Sequence, residues 1–372
     1  MRSIVYVGMD VHKDTFSLCA LDGETAEILG ETKCASDPRL VEKFVGHLAE
    51  ECPLDTEFLA GYEAGCLGYS LYKSLNHLNI NCVIMAPTTM FSSTKNKVVK
   101  NDTADAKMIA RNLASHTYRD VYVPDEEDDD VKEYIRMRKA FKKELTRAKQ
   151  HLNALILRRG YQYNATKTKW TEAHRNWIKH LSASSLIRDV VDQYMIELEE
   201  LEVKVANFDR KIEELSHSER YVEPVKKLTG FKGISTTTAM TIQVELSSFD
   251  RFAKAPALMS YLGLTPSEHS SGNHTSLGAI TKQGNSAVRT ALVEAAQGLV
   301  KGHVGHKTKA VMARQVGLDA AVIHYIDKGT IRLQRKFQRM RDTGKAYNVA
   351  IAAVARELAG YIWGVETGNI DY

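Results

Sequence analysis

No apolar run in this 372-residue chain reaches the roughly eighteen residues that a membrane span needs, and the stretch that opens it, MRSIVYVGMD, is too short for a signal peptide. Cysteine is scarce and confined. Cys19, Cys34, Cys52, Cys66 and Cys82 all fall in the first 82 residues, with no Cys-x-x-Cys pair and no histidine cluster at zinc spacing. These absences predict reduced thiols in a soluble, cytoplasmic protein with no membrane partner. There is no Gly-x-Ser-x-Gly elbow of the hydrolase type, and no second glycine-rich phosphate loop to support a sugar-kinase-like ATPase. Large net charge is missing too: +4, with a pI near 8.6, does not by itself indicate a nucleic-acid partner.

What charge there is lies unevenly. Residues 124–130, PDEEDDD, place six acids after a proline and read as a boundary and a solvated hinge. Residues 131–159 then have helical periodicity with ten Lys or Arg against two Glu, a phosphate-facing surface for nucleic acid. From Ile187 the apolar positions Val191, Tyr194, Leu198, Leu201, Val205, Phe208, Ile212 and Leu215 follow in steps of four and three, a coiled-coil seam. Its partner is the basic helix folded back, a second subunit, or both. Between the two, Trp170 and Trp177 stand among Lys167, Lys169, Arg175 and Lys179, as nucleic-acid stacking residues or as packing.

Toward the C-terminus, VKKLTGFKGISTTTAMTI (225–242) has Gly230 and Gly233 placed as in a helix-hairpin-helix turn, which holds phosphate through backbone amides. Residues 261–289 hold Ser270 and Ser271 in a polar loop, followed by Lys282 and Arg289; composition alone promotes neither serine to nucleophile. A basic patch (331–341) and an apolar helix (349–363) close the chain.

The N-terminal third reads as a hairpin (3–9 and 15–21), a third strand (27–33), a helix from Pro38, a strand at 57–63, a helix, a strand at 81–86 and a helix beginning at 102. That is the element order of an RNase H-like α/β fold. It sends Asp10, Glu63, Asp102 and Asp105 to strand ends and a helix start at one edge of a mixed sheet. Four like charges there call for one or two divalent cations, Mg²⁺ or Mn²⁺, and metals about 4 Å apart serve phosphoryl transfer. Asp102 and Asp105, three apart after Lys95, Lys97 and Lys100, also fit an N-cap and its N3 partner, a reading that needs no metal.

Five segments together, GMDVHK (8–13), GYEAG (61–65), KNDTADAKMIA (100–110), LTGFKGIS (228–235) and YLGLTP…SSG…LGAITKQGN (261–285), resemble one family over essentially the whole chain. It is the insertion-sequence transposases that join an N-terminal RuvC-like DEDD domain to a C-terminal serine-containing transposase domain, the bridge-RNA-guided recombinases. The resemblance implies Asp10, Glu63, Asp102 and Asp105 as the metal-binding catalytic acids and Ser271, in its Ser-Gly step, as the nucleophile. Where the family often has a basic residue before the Leu-Gly, Ser276 stands here, so the base that meets the scissile phosphate is open between Lys282 and Arg289.

The resemblance further implies a recombinase that cuts and rejoins DNA through a phosphoserine, guided by a noncoding RNA. The division expected is a RuvC-like domain at 1–124, a basic helix and coiled coil at 125–220, and a mainly helical serine-bearing domain at 221–372. A dimer or tetramer would form through the coiled coil. A metal-only structure-specific nuclease and a non-enzymatic nucleic-acid scaffold are the alternatives.

Overall fold

The β-branched run that opens the chain forms β1 (Ile4–Val11), and a short polar turn returns it antiparallel as β2 (Thr15–Asp22). A computed structural model describes residues 3–91, 102–268 and 276–370. Cα packing divides the chain into two units, Met1–Val123 and Pro124–Tyr372. Among the described residues, no helix is long and apolar enough to cross a membrane.

In the first unit β3 (Ile28–Ala35), α1 (Pro38–Glu51), β4 (Glu57–Glu63), α2 (Ser70–His77), β5 (Cys82–Met85) and α3 (Asp102–Ala114) follow in the expected order. The sheet runs β3-β2-β1-β4-β5, with β1, β4 and β5 parallel and the first three strands a meander. Both faces are covered, which is why β1 and β2 are apolar almost without alternation. Val5, Val7 and Met9 bury against Val41 and Leu48 of α1 and Leu71 and Leu75 of α2. Tyr6, Cys19 and Leu21 face Ala106, Ile109, Ala110 and Leu113 of α3. Each such side chain, fully buried, stabilises the fold by roughly 1.5–3 kcal/mol.

Contact between α3 and β1 is close because Gly8 has no side chain. A Cβ there would lie 2.8 Å from Ala110 Cα and still nearer the helix backbone. The same face therefore brings the start of α3 over the end of β1.

The second unit begins with α4 (Glu126–Arg158), and here the expected hinge is instead a helix start. Asp125 caps it, accepting a hydrogen bond from Asp128 N at 2.9 Å, and the acids that follow sit at the positive end of the helix dipole. Asp128 is buried and accepts from Tyr221 Oη at 2.6 Å and from Arg220. Asp125, Glu126, Glu127 and Asp130 are exposed as a solvated run would be, while Asp128 turns inward to its partners.

After α5 (Glu172–Lys179), α6 (Ser185–Ser216) runs antiparallel to α4: Tyr134 and Phe141 pack on Phe208, Lys149 pairs with Glu202, and His151 meets Tyr194. Every residue of the predicted seam is buried or half-buried. Of the partners left open, the basic helix of the same chain covers it. The tryptophan segment takes its packing reading. Trp177 stacks on His174 with ring centroids 5.7 Å apart, Tyr163 packs on both, and the group closes the end of the α4–α6 core.

A larger core joins α7 (Val222–Thr229), α8 (Thr236–Leu246), α9 (Ala255–Tyr261), α10 (Ser286–Leu299), α12 (Ala320–Asp342) and α13 (Tyr347–Thr367), with α11 (Lys309–Gln315) packed on α7. Gly233, in the turn between α7 and α8, has φ +91° and lies against α10, where a Cβ would be 2.8 Å from Leu299 N. Both facts require glycine there. A small antiparallel pair, β6 (Pro266–Glu268) and β7 (Leu277–Ile280), precedes α10.

Candidate metal centre

Strand pairing builds this site. In the ladders Asp10 of β1 stands opposite Ser17 of β2, and Ser17 opposite Lys33 of β3, so the three share one row and one face of the sheet. That face is the one α3 covers, with Asp102 as its first residue. Lys33 Nζ donates to Asp102 Oδ2 at 2.8 Å, and one turn on Lys107 pairs with Glu31 of β3 at 2.7 Å. Two ion pairs thus hold the helix across the meander.

His12 follows β1 by one residue, and its backbone N–H donates to Thr15 O at 2.9 Å in the hairpin turn. Its Nε2 lies 3.2 Å from Asp10 Oδ2 and 3.8 Å from Asp102 Oδ1. Asp10, His12 and Asp102 each offer an atom within 4.8 Å of the others, an arrangement able to hold a metal ion. Asp10 is mostly buried and Asp102 about one-third exposed, with side-chain accessibilities of 17% and 35%. The hydrogen bond from Lys33, and then its charge, hold the Asp102 carboxyl below the usual carboxylate range, with His12 adding a little. Asp102 therefore stays ionised as a ligand must.

The donor set fits a divalent cation. Two carboxylate oxygens suit Mg²⁺ or Mn²⁺, and one imidazole nitrogen tilts the set toward Mn²⁺. An ion there competes with the Lys33 ammonium for Asp102.

Of the acids singled out from sequence, Asp10 and Asp102 come together; Glu63 and Asp105 lie outside this group. Glu63 ends β4, one step past the Met9–Tyr62 pair of the parallel ladder, and is exposed. Gly61, two residues earlier, faces Leu113 of α3, so alternation puts Glu63 on the same side as Asp10. Asp105 is half-buried in the first turn of α3. Lys95, Lys97, Lys100, Ser270 and Ser271 lie outside the described residues. Arg289 donates from Nη1 to Leu262 O at 2.9 Å and Gln283 O at 3.0 Å, joining the YLGLTP and KQGN segments, while Lys282 is exposed.

His12 and Lys33 were missed. His12 carried a signal, since Asp-x-His at a strand end puts both side chains on one face. Lys33 did not, because its place depends on the register of two ladders.

Residues 225–311 match the Transposase IS116/IS110/IS902 family, and residues 7–159 match a transposase family of the IS110 DEDD type. The chain is 30% identical over 352 residues to the transposase for insertion sequence element IS1533 of Leptospira borgpetersenii, spanning 93% of this chain and 99% of that one. This chain belongs to the IS110/IS116 family of transposases. It is also 31% identical over 304 residues to the putative transposase y4qE of Sinorhizobium fredii, across 82% of this chain and 74% of that one. Over its whole length it is 23% identical to the transposase for insertion sequence element IS1111A of Coxiella burnetii, covering 92% of that protein.

An IS110-family transposase is an enzyme that acts on DNA by phosphoryl transfer, and the DEDD match gives the N-terminal mixed sheet a RuvC-like fold. Divalent metal use is in keeping with that family, and the Asp10–His12–Asp102 group is where this chain offers ligands.

Proposed function

We infer that this transposase cuts and rejoins the DNA strands of its insertion sequence through a serine nucleophile, Ser271, assisted by Mg²⁺ or Mn²⁺. The observation that carries the reading is the meeting of Asp10 and Asp102, distant in sequence, in one ligand group of an IS110-family chain. Glu63 and Asp105, near the same sheet edge, complete the proposed DEDD set. Asp10 and Asp102, with Glu63 and Asp105, would hold the divalent ion, which would supply positive charge where negative charge develops on the phosphate.

The chain's own residues do the rest. The Ser271 oxygen forms a bond to phosphorus as the bridging oxygen of the cut strand leaves, a carboxylate accepts the serine proton, and the leaving oxygen takes one from solvent. The phosphodiester is conserved as a phosphoserine ester, so a different strand end can later displace the serine without ATP. In this reading residues 1–124 supply the acids, 125–220 a coiled-coil arm, and 221–372 the serine and a helix-hairpin-helix phosphate contact. A noncoding RNA pairs with donor and target DNA, and a dimer or tetramer assembles through the arm. Support for the arm is the long antiparallel α4–α6 pair.

The test is strand cleavage of an element-end junction with Mg²⁺, with and without the RNA encoded beside the element, read on denaturing protein gels. Wild type is expected to give a DNA-shifted protein band that Ser271→Ala, Asp10→Asn and Asp102→Asn all lose. Cleaved DNA without an adduct, still made by Ser271→Ala, would mean a metal nuclease. An adduct formed equally well without RNA would remove the guide.

A further inference from the structure

Between α4, α8 and α10 of the second unit runs a groove of about 360 Å³. Its frame is an ion-pair network. Glu245 of α8, its side chain only 3% exposed, accepts from Arg136 Nε at 2.9 Å and Nη2 at 3.1 Å, and from Asn285 Nδ2 at 2.8 Å. Asn285 is the N-cap of α10, so this one carboxylate fixes three helices to each other. Arg138 is likewise committed, to Asp209 of α6.

That leaves Lys139, Lys142 and Lys143 along the open wall. All three are exposed, and among the described residues none has a carboxylate within ion-pair distance. Facing them is one exposed acid, Glu294 of α10. The wall hydroxyls add little, since Thr241 and Thr290 donate to backbone carbonyls of their own helices. The groove therefore presents a surplus of exposed ammonium groups over an ion-paired floor.

We propose that this groove binds the sugar-phosphate backbone of duplex DNA, giving the transposase a DNA contact independent of its metal centre. The partner follows from what lines the groove. Lys139 and Lys143, four residues apart, are separated by about 6 Å along the helix, roughly two base steps of one strand. No aromatic side chain lines it among the described residues, so there is no platform on which unpaired bases stack. Cations that meet only the backbone position the nucleic acid and read no sequence, and without a stacking platform the bases are left to pair with each other. The proposal rests on the DNA-acting character of the family and not on serine chemistry.

Fluorescence anisotropy of the full chain with a labelled duplex of about 25 base pairs, in EDTA, tests it. Lys139→Ala/Lys142→Ala/Lys143→Ala is expected to weaken duplex binding at least about tenfold near 150 mM salt and to lower the salt slope by two to three. Lys204→Ala/Arg210→Ala/Lys211→Ala, which removes three exposed bases of α6 in the same unit, is expected to change the slope by less than about one. Wild-type binding by the groove variant, an equal loss in the control, or a loss confined to single-stranded DNA or RNA would overturn the assignment. Circular dichroism of both variants separates lost contact from lost fold. Failure of the serine adduct with the groove effect intact would reject the chemistry and keep the groove; an adduct with no groove effect would do the reverse.

Discussion

Glu366, near the end of α13, has its carboxyl Oε1 buried beside the Gln243 amide of α8. Burial pushes the Glu366 carboxyl up to about 7, with Gln243 and Lys227 pulling weakly the other way. In the unfolded chain a glutamate titrates near 4.3. Between those values the unfolded state has lost a proton that the native state keeps, so stability falls as pH rises from about 4.3 to about 7 and levels off above. Glu366→Gln removes that dependence. It is expected to match wild type near pH 4.5 and to exceed it by roughly 1–3 kcal/mol near pH 8, in urea unfolding at the two pH values. An equal difference at both would show that the native carboxyl ionises normally.

At the scale of elements, the fit of α3 to the sheet decides whether the acids meet, and Gly8 sets that fit, while a Cβ at Gly46, on the opposite face, would touch nothing. Gly8→Ala forces a Cβ into the α3 backbone, which cannot yield as a flexible side chain would. It is expected to cost at least about 3 kcal/mol and to abolish metal binding. Gly46, in α1, has open space where a Cβ would stand, with nothing within 4 Å, and Gly46→Ala is expected to stabilise by about 0.5–1 kcal/mol. Thermal melts of the two variants check both signs, and a mild Gly8→Ala would mean that α3 can ride away from β1.

The same elements show what a sequence makes legible. The order of strands and helices in the first unit, and the seam of α6, were readable because each is a local period written in consecutive residues. Asp10 and Asp102 were readable because both sit at element ends. Lys33 was not, since its meeting with Asp102 passes through two strand registers. The acids of 125–130 mark a boundary as read, but the burial of Asp128 was not legible, because its partners Arg220 and Tyr221 lie far along the chain. For Trp170 and Trp177 composition leaves base stacking and packing both open, and the rings of His174 and Tyr163 against them decide for packing.

At the scale of the whole molecule, each of the two units has its own core. The sheet and its helices bury one set of side chains, the helical unit another, and the candidate metal ligands Asp10, His12 and Asp102 belong to the first while the lysine groove belongs to the second. A ligand stabilises the unit that binds it by RT ln(1 + [L]/Kd), about 2.7 kcal/mol at a hundred times Kd. Calorimetry of the full chain is therefore expected to show two transitions, with Mn²⁺ raising the one that a 1–123 fragment identifies and leaving the other in place. Asp10→Asn/Asp102→Asn should abolish that rise. Duplex DNA in EDTA should instead raise the transition of the helical unit, and the triple lysine variant should lose this effect while keeping its response to Mn²⁺. If both transitions moved together with either ligand, the two units would be coupled in folding, and metal and DNA would have to be treated as ligands of one cooperative body.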